Sequence, residues 1–144
     1  FVSTDNYLLV GDYIHAIADL EKAVELEPSY LLAQENLGIV ALRGGRGDIT
    51  AKVVEDIRRI APQNTSSLAR IADMYIQLNQ IGNAFALYQE MVKIEPENAQ
   101  YHANLAGLYL NRGDSTRAAF EAKKAAELDP ENFEGKVKEF LKQL

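Results

Sequence analysis

The side chains in this chain best suited to acid–base or metal chemistry are two histidines, His15 and His102, and 21 aspartates and glutamates. The histidines belong to distant segments and lack a paired-ligand spacing such as His-x-x-x-His, in which two rings share one helix face. His102 falls where a ring is expected to pack between helices. The acids are spread as on any solvated helix, and abundance alone does not make a carboxylate pair for general acid–base work. No phosphate-cradling glycine loop, dinucleotide fingerprint or serine elbow occurs. The residues therefore point to no catalytic site, no metal site and no cofactor, and the chain reads as a non-enzyme. Arg46-Gly47-Asp48 and Arg112-Gly113-Asp114 both spell a cell-adhesion tripeptide, but both fall where a turn between helices calls for glycine and aspartate. Asn64-Thr65-Ser66 matches a glycosylation sequon and also stands where a helix start wants Thr or Ser as its cap.

Composition narrows the partners. The formal net charge of −6 argues against nucleic acid, which calls for clustered Lys and Arg. The charge is uneven: residues 1–34 carry six acids against Lys22, whereas residues 35–68 carry five bases (Arg43, Arg46, Lys52, Arg58, Arg59) against four acids. Such polarity can orient a partner. Cysteine is absent, so no disulfide framework exists and the redox compartment is unreadable. No apolar run approaches the roughly 18 residues of a membrane span, so no membrane insertion by this segment is expected. The start, Phe1-Val2-Ser3-Thr4, lacks a basic region followed by an apolar core and has no initiator Met, as expected of a processed or trimmed chain or a piece of something longer.

The elements that position these residues are set by four prolines, Pro28, Pro62, Pro96 and Pro130, each 34 residues from the next. Proline lacks the N–H that continues a helix, so a stop at a fixed interval marks one unit copied along the chain. With each proline at position 32, position 8 reads Thr4, Gly38, Ala72, Ala106 and position 20 reads Ala16, Thr50, Ala84, Ala118, all small. Position 11 reads Tyr7, Ala41, Tyr75, Tyr109; position 24, Leu20, Val54, Tyr88, Ala122; position 27, Ala23, Ile57, Met91, Ala125; position 30, Leu26, Ile60, Ile94, Leu128. Large groups fill the space between helices and small ones set the closest approach. Ile14, Ile17, Leu20, Ala23 and Val24 form one helical face, and Leu105, Leu108 and Tyr109 another. Turns are expected at Gly11-Asp12, Gly47-Asp48, Asn79 with Gly82, and Gly113-Asp114, the aspartate capping the next helix. The glycine-rich run Arg43–Asp48 predicts a longer turn in the second unit, a later start for its second helix, and local mobility. Helices of about a dozen residues are marginal alone, so stability must come from stacking.

This pattern resembles the tetratricopeptide repeat family in period and signature, carried by the segment from Gly11 to Pro28 and by Asn104-Leu105-Ala106-Gly107-Leu108-Tyr109 through Asp129-Pro130. Position 4, often Trp in the family, is here Gln34, Leu68 and His102. The resemblance implies an all-α, right-handed superhelical solenoid of antiparallel helix pairs, about four repeats and a capping helix. The expected bounds are residues 1–30 (truncated), 31–64, 65–98 and 99–132, then 133–144 as the cap with the stripe Phe133, Val137, Phe140, Leu141, Leu144. It implies a scaffold that binds an extended protein or peptide segment in a concave groove lined by first helices. Asn36, Arg70 and Asn104 (position 6), Asp73 (position 9) and Arg43, Gln77 and Asn111 (position 13) are then the partner-binding candidates. Asparagine both donates and accepts, and Arg70 suits a carboxylate. The family's clamp for acidic chaperone tails maps onto Phe1, Asp5, Asn36, Ser66 and Arg70, of which only Asn36 and Arg70 match, so no such clamp is expected. Two other readings stay open: a structural array that self-associates through its open N-terminal end, and the soluble arm of a larger bacterial protein. For the latter, the stretch from Asn98-Ala99-Gln100 to Phe140-Leu141 resembles repeats appended to O-antigen ligase-like membrane proteins.

Overall fold

The structure, a computed structural model, describes residues 12–144. The readings placed on Phe1, Thr4, Asp5, Tyr7 and Gly11 lie outside the described residues. Among these there are eight helices and no strand: α1 (Tyr13–Leu26), α2 (Leu31–Arg43), α3 (Gly47–Ile60), α4 (Ser66–Gln77), α5 (Ile81–Ile94), α6 (Ala99–Asn111), α7 (Ser115–Leu128) and α8 (Pro130–Leu141). None of the helices is long and apolar enough to cross a membrane. The chain divides into two compact units, the first ending at Gln80 and the second running from Ile81 to Leu144.

The repeat is kept at the level of single hydrogen bonds. Helices α1, α3, α5 and α7 each have 14 residues and each begin at register position 17 and end at position 30. Ahead of α3, α5 and α7, position 15 has positive φ: Gly45 (78°), Asn79 (59°) and Gly113 (79°). There the position-16 N–H reaches the position-11 carbonyl, from Arg46 to Ala41 (2.8 Å), Gln80 to Tyr75 (2.7 Å) and Asp114 to Tyr109 (3.0 Å). The position-15 N–H reaches position 12 alongside. This double bond is the Schellman ending, and it demands a left-handed residue, which glycine or asparagine supplies. The second unit of the repeat therefore departs from expectation. Its turn is no longer than the others, Gly45 is the left-handed residue, and Gly47-Asp48 already belongs to α3. Register won over glycine content because the Schellman bonds fix the length of the turn.

Aspartate capping is selective. Asp114 Oδ1 accepts from the Arg117 N–H (3.0 Å) and Asp129 Oδ1 from the Asn132 N–H (3.3 Å), whereas Asp12 makes no side-chain cap bond. In the sequon segment the cap is Asn64, whose Oδ1 accepts from the Ser67 N–H at 3.3 Å; Thr65 contributes none. Proline interrupts no needed bond at the other turn. The position-31 N–H bonds to position 27 in each copy, and Pro130 opens α8 at its first turn, where its missing N–H costs nothing.

In the first unit α2 packs on α1, α3 and α4. A Cβ on Gly38 would come within 3.1 Å of Val53 Cγ1 and 3.2 Å of Ile71 Cδ1, so the small residue sets how closely both neighbours approach. Thr50 Oγ1 donates to the Gly38 carbonyl at 2.8 Å, satisfying a hydroxyl sunk in the same contact. Ile57, Leu68, Ile71 and Tyr75 are buried in the same unit. Ile14 and Leu26 are not part of this core: they are 75% and 79% exposed. Ile14 stands at position 18, where the other copies carry Asp48, Gly82 and Thr116, so that position faces outward in every repeat.

In the second unit α6 packs on α5 and α7, and α7 on α8. Small Ala106, Ala122 and Ala125 meet Phe133 and Val137 of α8 in one apolar cluster, which leaves a cleft of about 210 Å³ lined by Ala106, Ala122, Phe133 and Val137. Phe140 and Leu141 flank that cluster, and Leu144 is exposed. Phe85 meets Tyr109 edge-on (5.0 Å, 81°), and the Arg112 guanidinium lies 4.1 Å over the Phe85 ring.

Candidate partner-binding site

The candidate residues sit on the first helices of the repeats, and each unit presents its own set. On α2 and α4, which lie side by side, position 6 supplies half-buried Asn36 and exposed Arg70, position 9 supplies exposed Asp73, and position 13 supplies exposed Arg43 and Gln77. On α6 of the second unit, Asn104 is half-buried and Asn111 exposed.

Three of these side chains are already at work inside their units. Arg70 Nη1 donates to Glu35 Oε2 at 2.8 Å; the guanidinium is 66% exposed and the carboxylate side chain only 7%. A buried carboxylate needs a partner, so Arg70 first answers Glu35 and meets a partner's acid with part of its charge committed. Asn104 Nδ2 donates to Tyr88 Oη (3.0 Å), and its Oδ1 accepts from Gln100 Nε2 (2.8 Å). Asp73 also has interactions within the protein. Glu35 and Gln100 carry no signal in a reading by register position alone. The Glu35–Arg70 spacing of one repeat plus one residue would have exposed the ion pair, because it joins neighbouring first helices.

The side chains first considered for chemistry are placed differently. His15 is exposed. His102 is buried, with Nε2 2.7 Å from the Pro96 carbonyl and Nδ1 2.6 Å from Glu121 Oε2. A carbonyl only accepts, so Nε2 is the donor in the bond to Pro96. At the same register position of the first unit, Gln34 Nε2 donates to the Pro28 carbonyl at 2.9 Å. Position 4 thus ties α2 and α6 to the proline turn before each of them, while α4 carries Leu68 there.

Electrostatics on the surface are local. The Arg117 backbone N–H and then its side chain hold Asp114 below the usual carboxylate range. The Arg46 guanidinium, bonded at 3.1 Å to both Asp48 oxygens, does the same for Asp48. Burial pushes the Tyr75 phenol up. Among the described residues no group of three or more His, Cys, Asp or Glu is placed to hold a metal ion.

Two family profiles, both described as tetratricopeptide repeat, match residues 67–133 and 5–30. No curated protein matches the sequence. Solved structures with this fold include a crystal structure of MamA, 15% identical over 99% of this chain and 92% of its own, with a TM-score of 0.64. MamA 41-end from Desulfovibrio magneticus RS-1 is 24% identical over 85% of this chain and 70% of its own, at 0.63. The first TPR of Spaghetti (RPAP3), bound to the HSP90 peptide SRMEEVD, is 17% identical over 78% of this chain and 88% of its own, at 0.60. At these identities the likeness speaks for the fold. With the profiles, the recurring Schellman turns and the 34-residue period in agreement, the chain belongs to the tetratricopeptide repeat family.

Proposed function

We infer that the chain is a non-catalytic protein-interaction module and that it holds an extended partner segment along its first helices. The observation that carries this is the polar display of α2 and α4. Packed side by side, they offer Arg43 and Gln77 at one register position and Asn36 and Arg70 at another, so a segment crossing both helices meets polar side chains at repeated intervals. Asn104 and Asn111 offer the same positions in the second unit. A repeat protein of the same fold carries a peptide in its solved structure, which supports the general mode. An acidic chaperone tail is not the expected ligand here: Arg70 already serves Glu35, and Ser66 stands where the clamp wants a lysine.

The test is selection of a displayed random-peptide library on the full chain, followed by competition among the recovered peptides. Recovered sequences that compete with one another and lose binding in Arg43→Ala/Gln77→Ala support the reading. Peptides indifferent to these exposed residues would remove it. The paired change Arg70→Gln/Glu35→Gln reports on Arg70 without stranding the buried carboxylate. Self-stacking is the competing outcome, and light scattering separates it: a mass that rises with concentration and a surface that recovers no peptide would favour the structural array.

A further inference from the structure

Helix α8 joins the second unit by a tighter turn than the first helices make elsewhere. Asp129 alone separates α7 from α8, where residues 27–30, 61–65 and 95–98 precede α2, α4 and α6. Turning off so sharply, α8 packs on α7 and leaves the cleft of about 210 Å³ against α6. Ala103 and Ala106 of α6, Ala122 of α7, and Val137 and Phe140 of α8 make its walls apolar. This is less than the roughly 300–1,000 Å³ of a small-molecule site and suits one aliphatic side chain. Gln100 and Lys136, both exposed, complete the lining with Phe133. The same three residues also line a second, polar cleft of about 390 Å³ with Asn98, Asp129 and Asn132. An apolar compartment and a polar one thus meet at Lys136. Among the described residues Lys136 pairs with no carboxylate. Its Nζ lies 5.6 Å over the Phe133 ring, and Glu139, the acid one turn along the same helix, is bonded to Lys142 at 3.1 Å. Asp129 has its two oxygens engaged by Asn132, at 3.3 and 2.8 Å.

We propose that this cleft anchors the C-terminal residue of a partner segment, with its aliphatic side chain in the apolar compartment and its α-carboxylate on Lys136. Charge complementarity selects the carboxylate, since Lys136 is the cation lining both compartments and only an aromatic ring faces it. Geometry selects the chain end. Lys136 directly precedes Val137, so the cation stands beside the apolar walls, and a carboxylate borne by the anchor residue itself lies within its reach. An acidic side chain on the same face of an extended segment would be two residues away, roughly 6.5–7 Å further on. In the polar compartment Asp129 already supplies a negative charge, so residues ahead of the anchor are uncharged there. Gln100 donates to Asn104 at 2.8 Å, which joins the cleft to the candidate row on α6. The proposal rests on the reading of the first helices as the partner surface and adds the chemistry of the segment's end. A terminal aspartate would carry a second charge into the apolar compartment, so an acidic tail is again the wrong ligand.

The test is a titration of the full chain with N-acetyl-L-leucine at neutral pH, followed by NMR at the methyl groups of Ala103, Ala106, Ala122 and Val137 and at Lys136 Cε. N-acetyl-L-leucinamide is the uncharged control, N-acetyl-L-alanine the control without the anchor, and acetyl-Gly-Ser-Gly-Leu with a free carboxylate the peptide arm. Saturable shifts at the cleft are expected with acetylleucine and with the peptide. Acetylleucinamide should bind about fivefold weaker, as for the loss of an exposed ion pair, and acetylalanine at least about tenfold weaker. Lys136→Gln, at an exposed position, brings acetylleucine down to the level of the amide, and Ala103→Leu, which fills the cleft, abolishes the shifts. The proposal is overturned by the absence of saturable shifts, by acetylleucinamide binding as tightly, which would make the cleft an apolar crevice only, or by acetylleucine binding unchanged in either variant. Arg43→Ala/Gln77→Ala leaves acetylleucine binding as it is, so a failure at the cleft and a failure of the α2–α4 surface are read in different variants.

Discussion

In the second unit, His102 donates to the Pro96 carbonyl and its other nitrogen meets Glu121, so every polar atom of the ring is answered. In the first unit, Gln34 makes the same bond to the Pro28 carbonyl, but the register position of Glu121 is held by Val53, and the amide oxygen is left without a donor. The turn and the proline are alike; the residue at position 4 and the one facing it on the second helix differ. One repeat closes its polar position internally, and the other leaves an enclosed acceptor unanswered. Repetition fixes where a polar group sits, and the residue facing it on the second helix decides whether all its polar atoms are answered.

That contrast can be broken most severely at the histidine. His102→Leu leaves the half-buried Glu121 without its ring partner, and urea unfolding should show a loss of about 2–3 kcal/mol. His102→Leu/Glu121→Leu should recover most of it, because the unpaired charge is then gone. The opposite experiment moves the closed arrangement into the first unit. Gln34→His with Val53→Glu should be more stable than the sum of the single changes implies, with a coupling of about 1–3 kcal/mol in a double-mutant cycle. No coupling would mean that the two positions do not meet as their counterparts do. Gln34→Leu alone should change stability by less than about 1 kcal/mol, since the lost Pro28 bond is offset by removal of the unanswered oxygen.

Two smaller effects sharpen the comparison at helix ends. Asp114 caps α7, while Asp12, at the same register position before α1, makes no side-chain bond. Asp114→Ala should therefore lower Tm measurably and Asp12→Ala should not. Because the folded state holds Asp114 below its ordinary range, its contribution is present above the unfolded carboxylate pKa, near 4, and is lost as pH falls through the lower folded value. The shift at Tyr75 has the other sign of consequence. Burial favours the neutral phenol, so its contribution is intact below about pH 10 and is lost as pH rises beyond it.

Much of the fold was legible because it repeats. The small residues at positions 8 and 20 are buried in every described copy, from Ala16, Gly38 and Thr50 to Ala106 and Ala118. Proline spacing located the helix boundaries, since a missing N–H is tolerated between helices or in a helix's first turn and not in its interior. What was misread came from weighing residues locally. Gly47 looked like the turn because it precedes an aspartate, yet Gly45 holds the left-handed conformation that the Schellman bonds require. Ile14 looked like core because it fits a helical apolar spacing, yet its register position faces outward. The candidate site was legible as register positions but not as chemistry. That Arg70 answers Glu35, and that Asn104 holds Tyr88, depends on which rotamers reach across between helices, and spacing alone does not record this.

The central claim is that α2 and α4 together form a peptide-binding surface. Calorimetry of one library-selected peptide with the wild-type chain and with Arg43→Ala/Gln77→Ala tests it most directly, with circular dichroism on both proteins. The account predicts at least about a tenfold rise in Kd, equivalent to about 1.4 kcal/mol, at unchanged helicity. Equal affinity for both proteins would contradict it.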